Sequence, residues 1–390
     1  MKIIGIDDQE EKKKELNRKK IAITTIVCMV IIAFFILVCI YIANKPFHEF
    51  VDKYVLMKHL NENNVTSISL EESTSSNIYA YDKYISTLEQ NTLTGYNASG
   101  KKEYELTVEI SNPLIDTNNR FLLIAEKEKQ KIYLISGNSI VWEKELEGNI
   151  SRVSVNKNGY VSVILTGTTY KSIIQTFDAT GNEMFKTYLR SSMAVDSDIS
   201  YDNKYLSFAQ ISTDGTLVQS MIKTIDIPKE TIISTVTSPS NSAILNLKYQ
   251  EGNRLICMYD NSIYCIQNEK SEELVNFNQE NKKIVFADIE LANFIFHITE
   301  KNVLLRTEST IELTNVANGK TNIYTIDSVV KEVYGYDNHL AINLGSEVHF
   351  IGTNGWLKKK YNSSQEVRKI VMNSSFAGIV YRDKIEIVEL

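Results

Sequence analysis

The residues able to do chemistry are few and scattered. Of the five histidines, His48 and His59 stand eleven positions apart, too far to share one helical turn as a metal pair. His339 and His349 read as neighbours on adjacent strands, but two imidazoles without a third ligand make a poor metal site. Asp196-Ser197-Asp198 with Asp202 has the look of a calcium loop. The glycine and distant glutamate of an EF-hand loop are missing, so the run reads as a polar strand entrance and a turn. Glu126, Glu128, Asp178 and Glu183 read as solvated turn charges. There is no H-E-x-x-H, G-x-S-x-G, phosphate loop or dinucleotide fingerprint, and no cofactor or metal is expected. The Asn-x-Ser/Thr triplets at Asn64, Asn97, Asn149, Asn362 and Asn373 would matter only in a eukaryotic secretory route, whereas the Lys/Asn/Ile usage is that of an AT-rich bacterial gene.

Composition narrows the classes further. A hydrophobic share of 43% and a charged share of 23% over 390 residues belong to a folded chain. Residues 1–43 hold seven Lys+Arg and five Asp+Glu, a net of +2, so the whole-chain −6 leaves −8 for residues 44–390. An acidic main domain excludes nucleic acid as its partner, because that partner requires a basic footprint. Of four cysteines, Cys28 and Cys39 lie in an apolar run, so no disulfide framework exists. Cys257 and Cys265 pair directly if their hairpin turns through three residues, Asp260–Ser262. If it turns through two, Asp260–Asn261, they fall on opposite faces and stay free.

From Ile21 to Ala43 the chain carries no charge over 23 residues, including Phe34 and Phe35 at its middle. A helix of that length covers about 34 Å, enough for a hydrocarbon core of roughly 30 Å. Lys12, Lys13, Lys14, Arg18, Lys19 and Lys20 crowd its N-terminal side, so the positive-inside rule sets residues 1–20 in the cytoplasm and the bulk of the chain outside. A cleaved signal peptide has a shorter core and an A-x-A cut, and a lipoprotein has a small residue where Val38 precedes Cys39; an uncleaved single span is therefore expected. Beyond Pro46, Phe47, Phe50, Val51, Tyr54 and Val55 recur at helical spacing. Residues 44–64 are read as a helical linker whose apolar face packs on the domain, with an amphipathic helix on the outer leaflet or a dimer contact as alternatives.

After residue 65 the chain is a run of short strands bounded by Gly, Asn and Asp. Turn residues recur every 36 to 50 positions: Asp82-Lys83, Asn118-Asn119, Asn158-Gly159, Asp202-Asn203, Gly252-Asn253, Asn293, Asp337-Asn338 and Asn373-Ser374. Between them falls a second series, at residues 96–100, 135–137, 177–181, 226–228, 267–269, 318–319 and 351–355. Four strands per unit at a period near 40 define propeller blades. The first series marks the turn between strands one and two, the second that between strands three and four. The last unit, residues 366–390, has three strands, and one spare strand, Val65–Leu70, precedes the first blade. We expect an all-β, eight-bladed propeller over residues 65–390. Val65, Ile68 and Leu70 would close the ring against Ile385 and Ile387, removing an open edge. Seven blades is the alternative, because units four (Met193–Thr237) and six (Lys283–Asp327) are irregular.

The basic tail and apolar run, the segment FHEFVDKYVLMKHLNENNVTSISLE at 47–71, and blade sequences such as ISRVSVNKNGYVSVIL at 150–165 with FDATGNEMF at 177–185 resemble a family of uncharacterised single-pass membrane proteins of Firmicutes that carry a domain of unknown function. That family looks like the quinoprotein- and WD-type propeller group. Only Val141-Trp142-Glu143 and Gly355-Trp356 bear tryptophan here, so the Trp repeat of quinoprotein propellers, and with it a quinone cofactor, is not implied.

The expected function is a binding scaffold, anchored by a single membrane span and offering a propeller face to a protein partner or ligand outside the cell. The alternatives are a sensor that reports to a cytoplasmic partner through the short tail, and a propeller hydrolase. The last needs carboxylates or histidines clustered at the channel mouth, and none stands out in the sequence.

Overall fold

The computed structural model describes residues 7–44, 47, 51, 55, 65–70, 77–167, 169–212, 219–239, 242–267, 270–278, 283–303, 306–363 and 365–390. The chain divides into two units, Met1–Lys58 and His59–Leu390. The first holds one α-helix, Asp7–Ala43. It extends well ahead of the apolar run because nothing stops it: the stretch holds neither Gly nor Pro. From Ile21 to Ile42 its large apolar side chains are exposed. The Thr25 hydroxyl donates back to the Ile21 carbonyl at 2.8 Å, so this polar side chain is satisfied within the helix. The linker helix expected over 44–64 falls largely outside the described residues. Within it, the Val55 amide donates to the Val51 carbonyl as in a helical turn.

The second unit is eight four-stranded antiparallel sheets. Seven are built from consecutive strands, spanning Ile78–Thr107, Pro113–Glu145, Asn149–Leu189, Ser192–Thr237, Ile244–Asn276, Lys283–Ile326 and Glu332–Asn362. We number these blades 1 to 7. Blade 8 holds only three strands in sequence, Lys369–Met372, Phe376–Val380 and Lys384–Glu389; its fourth is Thr66–Ser69, which pairs antiparallel with Lys384–Glu389. The count is therefore eight, not seven. Blades 4 and 6 look irregular in sequence for different reasons. In blade 4 the link between strands two and three spans residues 213–218, outside the described set. In blade 6 two ten-residue strands, Phe294–Val303 and Arg306–Asn315, lengthen the hairpin.

Both series of turn residues fall at reversals, apart from residues 268–269 of the second, which lie outside the described residues. In the first-to-second turns the chain passes through positive φ at Asp82, Asn119, Gly159, Asn203, Asn253, Asn293 and Asp337. Only Gly and, less readily, Asn or Asp adopt that geometry without a large penalty, which is why these residue types mark the period. In the third-to-fourth turns Gly100, Gly181 and Gly355 each abut the outer strand of the preceding blade. A Cβ would lie 2.6 Å from Thr66 Cγ2, 2.8 Å from the Trp142 ring and 3.0 Å from the Ile323 carbonyl, respectively. Blade 1 thus treats Thr66–Ser69 as blade 3 treats the outer strand of blade 2.

Packing between blades is one apolar cluster per interface. Eight such clusters exist among the described residues, and they account for all eight contacts around the ring. The seam cluster joins Ile68, Ile385 and Ile387 to Ile78, Ala80 and Ile85 of blade 1, with Leu70 packed at its side; Val65 packs on the cluster between blades 7 and 8. The first strand of each blade is innermost. Side-chain amides at or just past its end reach the next blade: Asn118 donates to Val155 O, Asn156 to Ser200 O and Gln250 to Ile289 O. Because strands alternate in direction, the first-to-second and third-to-fourth turns share one face, here the turn face. The second-to-third turns and blade-to-blade links share the other.

Ile68→Asp, which buries a carboxylate at the seam, should cost about 3 kcal/mol or more and lower the urea midpoint. Ser69→Asp, on the exposed side of the same strand and opposite Lys384, should change stability by about 0.5 kcal/mol or less. Deleting residues 65–70 should give an aggregating product. A monomeric deletion product with an unchanged midpoint would show that this strand does not hold the ring.

Candidate functional site in the central channel

An innermost strand has a sheet partner on one side only, so half of its backbone groups face the channel and need partners there. In blades 2 and 4 aspartates supply them. Asp116 Oδ2 accepts the Val155 amide at 2.7 Å, Asp196 Oδ2 the Leu247 amide at 3.0 Å, and Asp198 Oδ2 the Tyr249 amide at 2.8 Å. Each bond joins the first strand of one blade to that of the next. The remaining oxygens are also engaged: Arg152 Nε donates to Asp196 Oδ1 at 2.9 Å and Ser154 Oγ to Asp198 Oδ1 at 2.8 Å. Lys248, from blade 5, reaches across the channel to Asp116 Oδ2 of blade 2 at 3.4 Å.

β-Bulges place part of this set. The first strand slips register against the second between Ile150 and Arg152, Ala194 and Asp196, Ile244 and Asn246, and Ile284 and Phe286, in four successive blades. A bulge bends the strand and re-aims the side chains after it. Arg152 and Asp196 directly follow theirs, and turn into the channel toward each other.

The charges perturb one another. Loss of water works against the Lys248 ammonium, but Asp116, Asp198, Glu290 and Asp196 together outweigh it and hold its pKa above the ordinary lysine value. Burial pushes the Asp198 carboxyl up to about 6, against the opposing pull of Lys248, the Tyr249 amide and Ser154. Asp288 and Glu290, on the turn side of blade 6, are both raised, chiefly by enclosure within the channel wall and, for Glu290, by the Asp288 charge. Asp288 Oδ1 accepts the Glu290 amide at 2.6 Å.

Two cavities flank this set. One, of about 520 Å³, opens on the turn face between Asp116, Lys157, Tyr201, Glu251, Tyr334 and Asp337. The other, of about 200 Å³, lies toward the opposite face and is lined by Leu114, Arg152, Val153, Asp196 and Leu247. Asp116, Lys248 and Glu290 border both. A groove of about 540 Å³ between blades 4 and 5 lies apart from them; its one carboxylate, Asp202, is held by Ser200, Lys204 and Asn253.

Several expectations need correction. Asp196 and Asp198 are not a polar strand entrance: they are 4% and 2% exposed and hold blades together through the channel. Asp202 does sit in the turn, accepting the Ser200 hydroxyl at 2.7 Å. The channel carries the carboxylate cluster that the sequence did not reveal. The available signal was one charged residue on or just after the first strand of successive blades: Asp116, Arg152, Asp196, Lys248 and Glu290. Glu126 is not a solvated turn charge either. It is 3% exposed and accepts the amides of Ser111 and Asn112. Asp178 does organise its turn, accepting from Thr180 and Asn182, and Glu128 and Glu183 are exposed.

The cysteine hairpin turns through two residues. Cys257 faces Tyr264 and Cys265 faces Ile256, so the thiols point into different inter-blade clusters and are free. His339 and His349 do lie on neighbouring strands of blade 7 but serve different partners. His339 Nε2 lies 2.7 Å from Lys358 Nζ, whereas His349 meets the Tyr324 hydroxyl at 2.9 Å and Glu347 at 2.9 Å. Among the described residues no three His, Cys, Asp or Glu side chains converge as metal ligands would. Trp142 is buried against Phe177 and Gly181, while Trp356 is exposed.

A closed ring of eight four-stranded sheets with a charged axial channel makes the domain an eight-bladed β-propeller. The chain belongs to DUF5711, a family of unknown function whose model matches residues 57–390. No curated protein matches it in sequence. Among solved structures it is similar to the C-terminal WD40 domain of Sif2, at 13% identity and TM-score 0.55, covering 83% of this chain and 99% of that one. It is also similar to the dihydro-heme d1 dehydrogenase NirN, at 8% identity and TM-score 0.52, covering 85% and 78%. A further likeness is to BamB from Moraxella catarrhalis, at 12% identity and TM-score 0.49, covering 84% and 97%. At these identities the likeness is one of fold.

Lys248→Met should destabilise the propeller by about 2 kcal/mol, because it leaves neighbouring carboxylates without their cation. A carboxyl whose folded-state pKa exceeds its unfolded value favours folding at low pH and loses that contribution as the pH rises through the folded value. With Lys248 gone the channel acids are raised further, so the deficit should grow between about pH 5 and about pH 8. Urea unfolding at the two pH values measures it; an equal loss at both would contradict this electrostatic role.

Proposed function

We propose that this protein is a single-span membrane protein that holds its propeller on the extracytoplasmic side as a binding scaffold. The supporting observation is the pairing of two features in one chain. One is a 23-residue apolar helical stretch, Ile21–Ala43, with its apolar side chains exposed. The other is a ring whose sheets leave no blade incomplete. Such a helix satisfies its own backbone and suits a hydrocarbon core of roughly 30 Å. In this reading Lys12, Lys13, Lys14, Arg18, Lys19 and Lys20 are the cytoplasmic topology signal, and residues 65–390 are the exported domain. The ring supplies a rigid platform on which turns and channel mouths can recognise a partner.

Cysteine labelling tests the topology. In a chain with Cys28 and Cys39 changed to Ser, a cysteine at exposed Lys129 should react with a membrane-impermeant maleimide in intact cells. One at Lys12 should react only after permeabilisation. The opposite pattern would overturn the proposed orientation. Cross-linking and co-purification from solubilised membranes then separate a scaffold from a sensor. A partner retained when residues 3–11 are deleted, which leaves the basic cluster from Lys12 to Lys20 in place, supports the scaffold, and a partner lost with them supports the sensor.

A further inference from the structure

The turn-face cavity has an unbalanced set of hydrogen-bonding groups. Five carboxylates border it, Asp116, Glu251, Asp288, Glu290 and Asp337, against two lysines, Lys157 and Lys248. Both lysines already have partners: Lys248 lies against Asp116, and Lys157 Nζ stands 4.0 Å from the centre of the Tyr201 ring. Asp116 and Asp288 accept backbone amides, and Glu251 accepts Asn293 Nδ2.

What is left unmatched is almost entirely acceptor. Among the described residues no group donates to the side chain of Glu290 or Asp337, and the Tyr334 hydroxyl has no hydrogen-bond partner. Gln250, 3% exposed in the same wall, gives a second and independent sign. Its amide nitrogen donates to the carbonyls of Ile289, Leu291 and Phe294, which fixes the orientation of the amide. Its carbonyl oxygen is then left without a donor. The buried Gln250 oxygen is costly to leave without a donor, and Glu290 and Asp337, exposed to the cavity, add unpaired negative charge; a ligand that brings donors and positive charge matches both.

We propose that the turn-face mouth of the channel binds an organic cation, an alkylammonium or guanidinium group, with Glu290 as its main counter-charge and Tyr334 beside it. This rests on the binding-scaffold reading and deepens it by naming the chemistry recognised. A compact metal ion fits less well, since no three carboxylates converge among the described residues. An anion is disfavoured by the surplus of carboxylates. The size of about 520 Å³ is that of a small-molecule site, and Tyr334 and Tyr336 line it as aromatic groups that a cation can approach. Loss of water and the neighbouring Asp288 charge raise the Glu290 pKa, and Lys248 only partly offsets them, so a bound cation would relieve that carboxylate. The group could arrive on a free polyamine or on a Lys or Arg side chain of a partner protein.

Titration calorimetry on the full chain in detergent, with spermidine and separately with a blocked Gly-Arg-Gly peptide, tests this. At least one probe should bind, and Glu290→Gln should weaken it by about tenfold or more. Glu366→Gln, at an exposed carboxylate paired with Lys331, should leave binding unchanged. Binding of spermidine alone assigns a free cation, and binding of the peptide alone assigns a protein-borne one. Thermal melts matching the unsubstituted chain exclude misfolding of Glu290→Gln. No binding of either probe, or binding that Glu290→Gln does not weaken, overturns the proposal. The topology labelling would still stand in that event, so failure of the site is distinct from failure of the scaffold.

Discussion

Four residues near the start of the propeller, Thr66–Ser69, decide whether it is a ring or an open stack. They pair with Lys384–Glu389 across more than three hundred positions of sequence, with Ile68 opposite Ile385. Without them blade 8 would end on an unpaired third strand and its interface with blade 1 would lose part of its apolar cluster. Every other interface is built from neighbours in sequence, and so forms from short-range contacts. The seam alone depends on the two ends finding each other, and the channel exists only because the eight inner strands are held in a circle.

The channel chemistry follows from that circle. An innermost strand has an edge with no sheet beside it, and the first task of the inward-pointing carboxylates is to satisfy that edge. Asp116, Asp196 and Asp198 do so by accepting amides from the following blade. Lys248 then offsets the charge these acids accumulate. The same groups that fasten blades together therefore set the potential of the channel. Glu290 differs from them, because it fastens nothing.

The period of the fold was legible because it is written in backbone geometry. Asp82, Asn119, Gly159, Asn203 and their equivalents must pass through positive φ, and only a few residue types do so readily. The channel was hard to read for the opposite reason. Arg152 meets Asp196 at 44 positions of separation, and Asp196 meets Leu247 at 51. Which side chains face the axis depends on bulges that shift the alternation by one residue, and a bulge at Ser151 or Val195 leaves no mark in composition. Asp196-Ser197-Asp198 therefore looked like the start of a strand when it is part of the wall. Glu126 misled in the same way, since a carboxylate near a turn reads as solvated unless its amide partners, Ser111 and Asn112, are known.

The position of the seam also sets an order of events during synthesis. The strand Thr66–Ser69 leaves the ribosome early, yet its partner is made only when the chain has reached Lys384. Through that interval blades can stack one on the next as they emerge, while the waiting strand keeps a row of unpaired amides and carbonyls. Closure is then a single late step whose rate depends on how quickly two distant ends meet, and a chain stopped just before Lys384 would carry seven finished blades and still be an open arc.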